Sequence, residues 1–115
     1  MSRRSEQIAE QLRAEIARLL RVEVTDPRIG MVTLTRVDVA PDLSQAFVYW
    51  SPLETKETEA VEEIASGLES AQVFVRRRLA SVLQLRRTPA LEFRFDHAFE
   101  AGARILDLIG SMNDE

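Results

Sequence analysis

Apolar side chains recur at helical spacing near the start of the chain. Ile8, Leu12, Ile16, Leu19 and Leu20 are separated by charged residues, which predicts an amphipathic helix. Ser5 fits as its N-cap, with Glu6 well placed in the first turn. Pro27 disfavours a helical Asp26, so the helix should stop within residues 22–25. The hydrophobic period then shortens to two. Residues 32–39 are rich in β-branched side chains, but the alternation slips near Arg36, where Val32 and Leu34 give way to Val37 and Val39. Such a slip predicts a bulge or a strong local twist. Residues 40–43 read as a turn. Residues 45–51 are apolar nearly throughout, as in a strand covered on both faces or central to its sheet.

The helical period returns over residues 58–83, with Ile64, Leu68, Ala71, Val75, Leu79 and Val82 as the inner stripe. Gly67 lies inside this stretch, at a cost of about 1 kcal/mol relative to alanine, and so long a helix on so short a chain should bend or break. Pro89 opens a further strand in which Leu91, Phe93 and Phe95 alternate with Glu92, Arg94 and Asp96. A short closing helix over residues 100–109 offers Ile105, Leu108 and Ile109 as its apolar face, with Gly110 as a stop. The predicted order is α-β-β-α-β plus a short C-terminal helix. That is an α+β fold, a three-stranded sheet with helices on one side.

At 115 residues the chain has room for one core, so a single domain over 1–115 is expected, ordered over about 4–110. Cysteine is absent, which excludes a disulfide framework, a cysteine nucleophile and a thiolate zinc site. The opening MSRRSEQIAE has no apolar run after its arginines, so no secretory signal is expected. No stretch approaches the roughly 20 apolar residues of a membrane span. A soluble, cytoplasmic protein is the expectation.

The net charge of −4 hides a segregated distribution. Residues 1–53 balance seven arginines against seven acids, residues 54–69 sum to −5, residues 70–94 to +5, and the last 21 residues to −4. A polyanion responds to the local field, which decays over roughly 8–10 Å at physiological salt. A phosphate backbone can therefore bind such a chain despite its negative total. The acidic run over 54–63 reads as a solvated loop and first helical turn, and could keep RNA off that end.

Catalytic chemistry is poorly provided for. His97 is the only histidine, which rules out a two-histidine metal site, and it reads as a partly exposed structural residue. A triad with Asp96 or Glu100 lacks a serine on a strained strand-to-helix elbow. Asp26, Asp38 and Asp42 lie near turns and read as capping and turn residues. The four glycines build neither a Walker loop, nor a dinucleotide fingerprint, nor the GxxG loop of ordinary KH domains. No catalytic residue, cofactor or metal is expected.

Arginines are the remaining signal. With Val75 pointing inward, Arg76, Arg77 and Arg78 fan out at about 100°, 200° and 300°, so Arg77 faces solvent while Arg76 and Arg78 flank the core stripe. Arg86 and Arg87 follow at the helix exit, and Arg3 and Arg4 mark the other possible anchor. Two readings stand: a phosphate-gripping patch, or a solvated face ion-paired to the upstream glutamates. Phe74, about 100° off the stripe, reads as packing on the first helix, with base stacking as the alternative. Tyr49 and Trp50 face opposite sides of one strand and read as structural. No element shows a second apolar stripe, so a monomer is expected.

Taken in order, these segments resemble ribosome-binding factor A, a bacterial assembly factor of the small ribosomal subunit, over about residues 4–109. The likeness is carried by Asp26-Pro27-Arg28-Ile29-Gly30, by VTLTRVDVAPDLSQAFVYWS with Asp42-Leu43 in its turn, by Leu85-Arg86-Arg87-Thr88-Pro89-Ala90-Leu91-Glu92-Phe93 with Asp96, and by Gly102, Ile105 and Leu108. The resemblance implies a KH-like type II fold. It implies binding to the 30S subunit and 16S rRNA in late maturation, including 5′-end processing, and support of growth in the cold, with no enzymatic activity, small-molecule substrate or membrane. RNA contacts are expected on Arg3, Arg4, Arg28, Arg76, Arg77, Arg78, Arg86 and Arg87; of the long-helix run, Arg76 matches a family arginine, while Arg77 and Arg78 are a local enrichment.

The family's long helix is kinked at an Ala-x-Gly step. Here that position falls on Ala71-Gln72-Val73, without the glycine, so the kink either forms without it or has moved. Ala98 stands where a serine is usual, and no contact of an extended C-terminal tail is carried over. The rival readings are a generic KH-type single-stranded RNA module and a protein–protein adaptor.

Overall fold

The computed structural model describes residues 3–54 and 57–113. Helix α1 (Arg3–Val22) is followed by strands β1 (Val32–Val39) and β2 (Gln45–Pro52), helix α2 (Thr58–Leu83), strand β3 (Ala90–Phe95) and helix α3 (His97–Asn113). The order of elements matches the expectation. β2 is central, antiparallel to β1 and parallel to β3. The parallel pairing requires the crossover that α2 supplies. α1 packs mainly on β1, α2 on β3, and the two helices meet each other.

One core forms between these helices and one face of the sheet. Leu12, Ile16 and Leu19 of α1 meet Leu34, Val37 and Val39 of β1, Ala46, Val48 and Trp50 of β2, and Leu68, Val75 and Leu79 of α2. The phase slip in β1 is a bulge: Leu34 pairs with Trp50 and Arg36 with Tyr49, leaving Thr35 as the extra residue. The bulge lets Leu34 and Val37, three apart, both face the helices. On the other sheet face the half-buried rings of Tyr49 and Phe47 lie under the guanidinium groups of Arg36 and Arg94, each 4.1 Å from the ring centre. Helices cover β2 on one face only, and arginine–aromatic stacks shield the other.

Several expectations change in detail. α1 already begins at Arg3, so Ser5 lies within its first turn. Val82 is exposed; the inward direction after Leu79 belongs to Leu83, one full turn on. α2 is helical without interruption through Ala71, Gln72 and Val73, and no break occurs. Of the acidic run, Thr55 and Lys56 lie outside the described residues, while Glu57, Glu59, Glu62 and Glu63 are exposed.

α3 departs most. It starts at His97 and passes through Gly110, which does not take the left-handed conformation that would end it. Ile105, Leu108 and Ile109, expected on a core-facing stripe, are 49–65% exposed. α1 and α2 already occupy the helix side of the sheet, and α3 makes only marginal contact with other elements. The radius of gyration is 15.6 Å, against roughly 13 Å for a compact chain of this length.

Gly67 has a packing role. A Cβ there would lie 2.9 Å from Ile29 Cγ1 and 3.3 Å from Arg28 Cβ. The loop before β1 is thus pressed against α2 where only glycine leaves room, and Ile29 is buried there. Within the same loop Gly30 has φ +59°, a left-handed conformation that suits glycine. Gly67→Ala gains up to about 1 kcal/mol of helix propensity, but overpacking costs about 1–3 kcal/mol. The variant is expected to be less stable by about 1 kcal/mol, a thermal midpoint lower by roughly 4 °C. A raised midpoint would show that the loop is not held this closely.

The first turn of α3 is tied to the sheet. Asp96 is buried; its Oδ2 accepts the Thr35 hydroxyl at 2.5 Å and its Oδ1 accepts the Phe99 N–H at 3.0 Å. Ser51 donates to Glu100 Oε1 at 2.6 Å. Burial opposes ionisation of Asp96, but the Thr35 hydroxyl, the Phe99 N–H and the Arg36 charge outweigh it and hold the carboxyl below its ordinary range. Asp96→Ala removes the cap and orphans the bulge hydroxyl, an expected loss of about 2–3 kcal/mol at neutral pH by urea unfolding. Because the folded pKa is depressed, this contribution is complete above the ordinary value of 3.8 and is lost as pH falls through the lower folded value. The gap between variant and parent should therefore close in acid. A gap independent of pH would remove the carboxylate from the account.

Candidate nucleic-acid interface

The inner stripe of α2, Ile64, Leu68, Ala71, Val75 and Leu79, is buried. Its spacing turns Val73, Phe74, Arg76 and Arg77 outward. Gln84 ends the helix in the left-handed conformation, φ 50°, and sends the chain back along α2. Arg76 Nη2 donates to the Thr88 carbonyl at 3.0 Å and fastens the returning segment. This brings Arg87 to Arg76 and Arg77 in a groove of about 420 Å³, completed by Val73, Ala80 and Thr88. Arg76, Arg77 and Arg87 are exposed, as is neighbouring Arg86. Among the described residues, none of the four forms an ion pair.

The other predicted arginines lie elsewhere. Arg78 is drawn off the patch by α1: its Nε donates to Glu23 Oε1 at 3.1 Å, and Arg18 reaches the other oxygen of Glu23 at 3.2 Å. It clamps the two helices. Arg28 is bound to Asp26, with Nη2 to Oδ2 at 2.6 Å. The Arg28 guanidinium and backbone N–H hold the Asp26 carboxyl down at about 2. Arg3 and Arg4 are exposed at the far end of α1, one helix length, about 28 Å, from the end that meets Arg78. Of the two readings of the arginine run, ion pairing therefore holds for Arg78 alone, and with α1. Among the described residues no ion pair joins Arg76, Arg77 or Arg78 to the glutamates of 54–69.

A second concavity was not foreseen. Residues 23–28 and the middle of α2 flank an open cleft of about 610 Å³ lined by Glu23, Val24, Thr25, Asp26, Pro27, Arg28, Ser70, Ala71 and Phe74. Phe74 is 40% exposed. It lines the cleft with the segment that leaves α1, not with the first helix on which it was expected to pack, and stays open on one side. The sequence signal was Gly67, whose missing side chain lets the loop approach α2. Of the three kink-position residues, Ala71 lines this cleft, Val73 lines the arginine groove, and Gln72 is half-buried between them in sequence.

Order of elements, mixed topology and an open arginine groove on the long helix define an α+β domain of the order that the KH-like resemblance requires. A profile of the family described as ribosome-binding factor A matches residues 4–109. The chain is 42% identical over 106 residues to ribosome-binding factor A of Azoarcus sp. strain BH72, covering 92% of this chain and 82% of the relative. The crystal structure of ribosome-binding factor A from Thermus thermophilus superposes with a TM-score of 0.67 at 26% identity, covering 78% of this chain and 93% of that one. A homology model of the Thermus thermophilus protein, fitted into a cryo-EM map of its complex with 30S, superposes at 0.64 and 26% identity, covering 81% and 96%. This chain belongs to the ribosome-binding factor A family. Among the described residues no helix is long and apolar enough to cross a membrane.

Proposed function

We propose that this chain is a non-catalytic assembly factor that binds the 30S subunit through its 16S rRNA and assists late maturation, including processing of the rRNA 5′ end. It acts in the cytoplasm, as a monomer, and supports growth in the cold. The observation that carries the reading is the groove of Arg76, Arg77 and Arg87, unpaired and open on a member of this family. A Thermus thermophilus member fitted into a 30S complex supports the choice of partner.

Three guanidinium groups around a shallow groove suit phosphates, which they can engage in pairs of hydrogen bonds. Arg86, Arg3 and Arg4 extend the contact, and the rigid domain favours whichever rRNA conformation presents phosphates to all of them. Arg28 and Arg78 join only by giving up Asp26 and Glu23.

Co-sedimentation of the purified chain with small subunits, large subunits and a short RNA tests this. Selective pelleting with small subunits, weakening with salt at a log–log slope of roughly −0.7 to −0.9 per phosphate contact, is expected. Equal binding to every target would point to a generic single-stranded RNA module. No binding at low salt would leave a protein adaptor as the better reading.

A further inference from the structure

We propose that the cleft between residues 23–28 and the middle of α2 receives one unstacked base of single-stranded RNA, whose backbone continues to Arg76, Arg77 and Arg87. The inference rests on the RNA-binding reading above and adds to it a ligand class and a second subsite.

Size is the first argument. At about 610 Å³ the cleft is within the roughly 300–1,000 Å³ of sites that hold small organic groups, large enough for a nucleoside. The wall is the second. Phe74 presents a phenyl ring, 40% exposed, and unpaired bases stack on such rings whatever their sequence. A lone exposed aromatic carries little meaning, but this one forms the side of a concavity and is followed, across the crest of the helix, by a groove of unpaired cations.

Polarity is the third. Thr25 on the loop wall and Ser70 on the helix wall are both exposed, and among the described residues neither hydroxyl has a partner. Each can donate or accept, which suits base edges. The two acids in the lining do not repel a polyanion as free charges would. Glu23 is held by Arg78 and Arg18, and Asp26 by Arg28.

Continuity is the fourth. Val73 lines the arginine groove and Phe74 the cleft, so the two subsites are adjacent residues on one helix. The open sheet face offers no such match. Its Arg36 and Arg94 are balanced by Asp38 and Glu92, which leaves no net attraction for a phosphate chain.

Fluorescence anisotropy of the whole chain with a labelled single strand of about 12 nucleotides, and with the matching duplex, tests the proposal. Phe74→Ala and Phe74→Leu are expected to weaken single-strand binding about 5- to 100-fold without changing its salt slope. Phe74→Tyr should bind like the parent. Duplex binding should respond to none of the three. Thermal unfolding of each variant excludes misfolding as the cause, and the tyrosine variant keeps the comparison valid if the smaller side chains destabilise. Parental binding by Phe74→Leu would overturn the base pocket. If that variant binds normally while reversal of Arg76, Arg77 and Arg87 abolishes binding, the cleft is excluded and the arginine interface stands. If the parent binds neither strand, the pocket falls and co-sedimentation with small subunits alone decides the functional reading; if the single strand binds but the reversal changes nothing, the arginine interface falls and the pocket with it.

Discussion

Reversing Arg76, Arg77 and Arg87 together to glutamate is expected to lower affinity for small subunits at least a hundredfold, while the protein stays folded. A hydrogen bond to a charged group contributes about 1.5–3 kcal/mol where its partner is not replaced by water, so loss of two such contacts already reaches that factor. Reversal adds repulsion of the phosphates. The salt dependence is the sharper diagnostic. Removing three phosphate contacts should flatten the log–log slope by roughly 2–3, which a general loss of fit would not do. Stability should change little, because all three side chains are exposed and only Arg76 makes a described hydrogen bond, to the Thr88 carbonyl. Arg78→Glu is the control. It would set a glutamate against Glu23, now 3.1 Å from the Arg78 guanidinium, and should weaken the join between α1 and α2 more than it weakens RNA binding. Unchanged sedimentation of the triple variant would move the rRNA contact off α2.

How much of this could be read in the sequence depends on what each feature rests on. Elements set by local periodicity were legible: β1 and α2 were placed at their observed bounds, and the bulge near Arg36 followed from one slip of the apolar alternation. Features set by what lies across space were not. Arg76, Arg77 and Arg78 are consecutive and look alike, yet Glu23, 55 positions away from Arg78, removes it from the groove. Arg87 joins Arg76 and Arg77 because a left-handed Gln84 reverses the chain, and nothing local marks glutamine for that conformation. Gly67 read as a weak point in a helix, but it is where a loop approaches too closely for a side chain. α3 carries an apolar face by pattern, and the pattern cannot tell that α1 and α2 have already filled the covered side of the sheet. The resemblance to a family supplied the partner, which no periodicity encodes.

Trp50→Ala is expected to destabilise the protein by about 3–5 kcal/mol, the range for removing a large buried aromatic. Trp50 is 1% exposed, on the central strand, with β1 hydrogen-bonded on one side and β3 on the other. Its ring meets Phe95 edge-on, with centroids 5.3 Å apart, a preferred aromatic geometry. No neighbour can collapse cheaply into the space, because strands on both flanks fix the backbone and α1 and α2 close the face above. Against a total stability of about 5–15 kcal/mol, the loss would consume much of the margin. With a urea m-value of about 1–3 kcal/mol/M, the unfolding midpoint should fall by at least about 1 M. Trp50→Phe keeps an aromatic edge for Phe95 and should cost distinctly less. The consequence reaches the interface through topology. β3 is held by β2 alone on one side, and the segment carrying Arg87 runs directly into β3. Loosening β2 should therefore lower small-subunit binding by depleting the folded state, with the salt slope of the remaining bound fraction unchanged. A change in that slope would mean that Trp50 shapes the arginine groove itself, and a stability loss below about 1 kcal/mol would mean that the core is not closed around it.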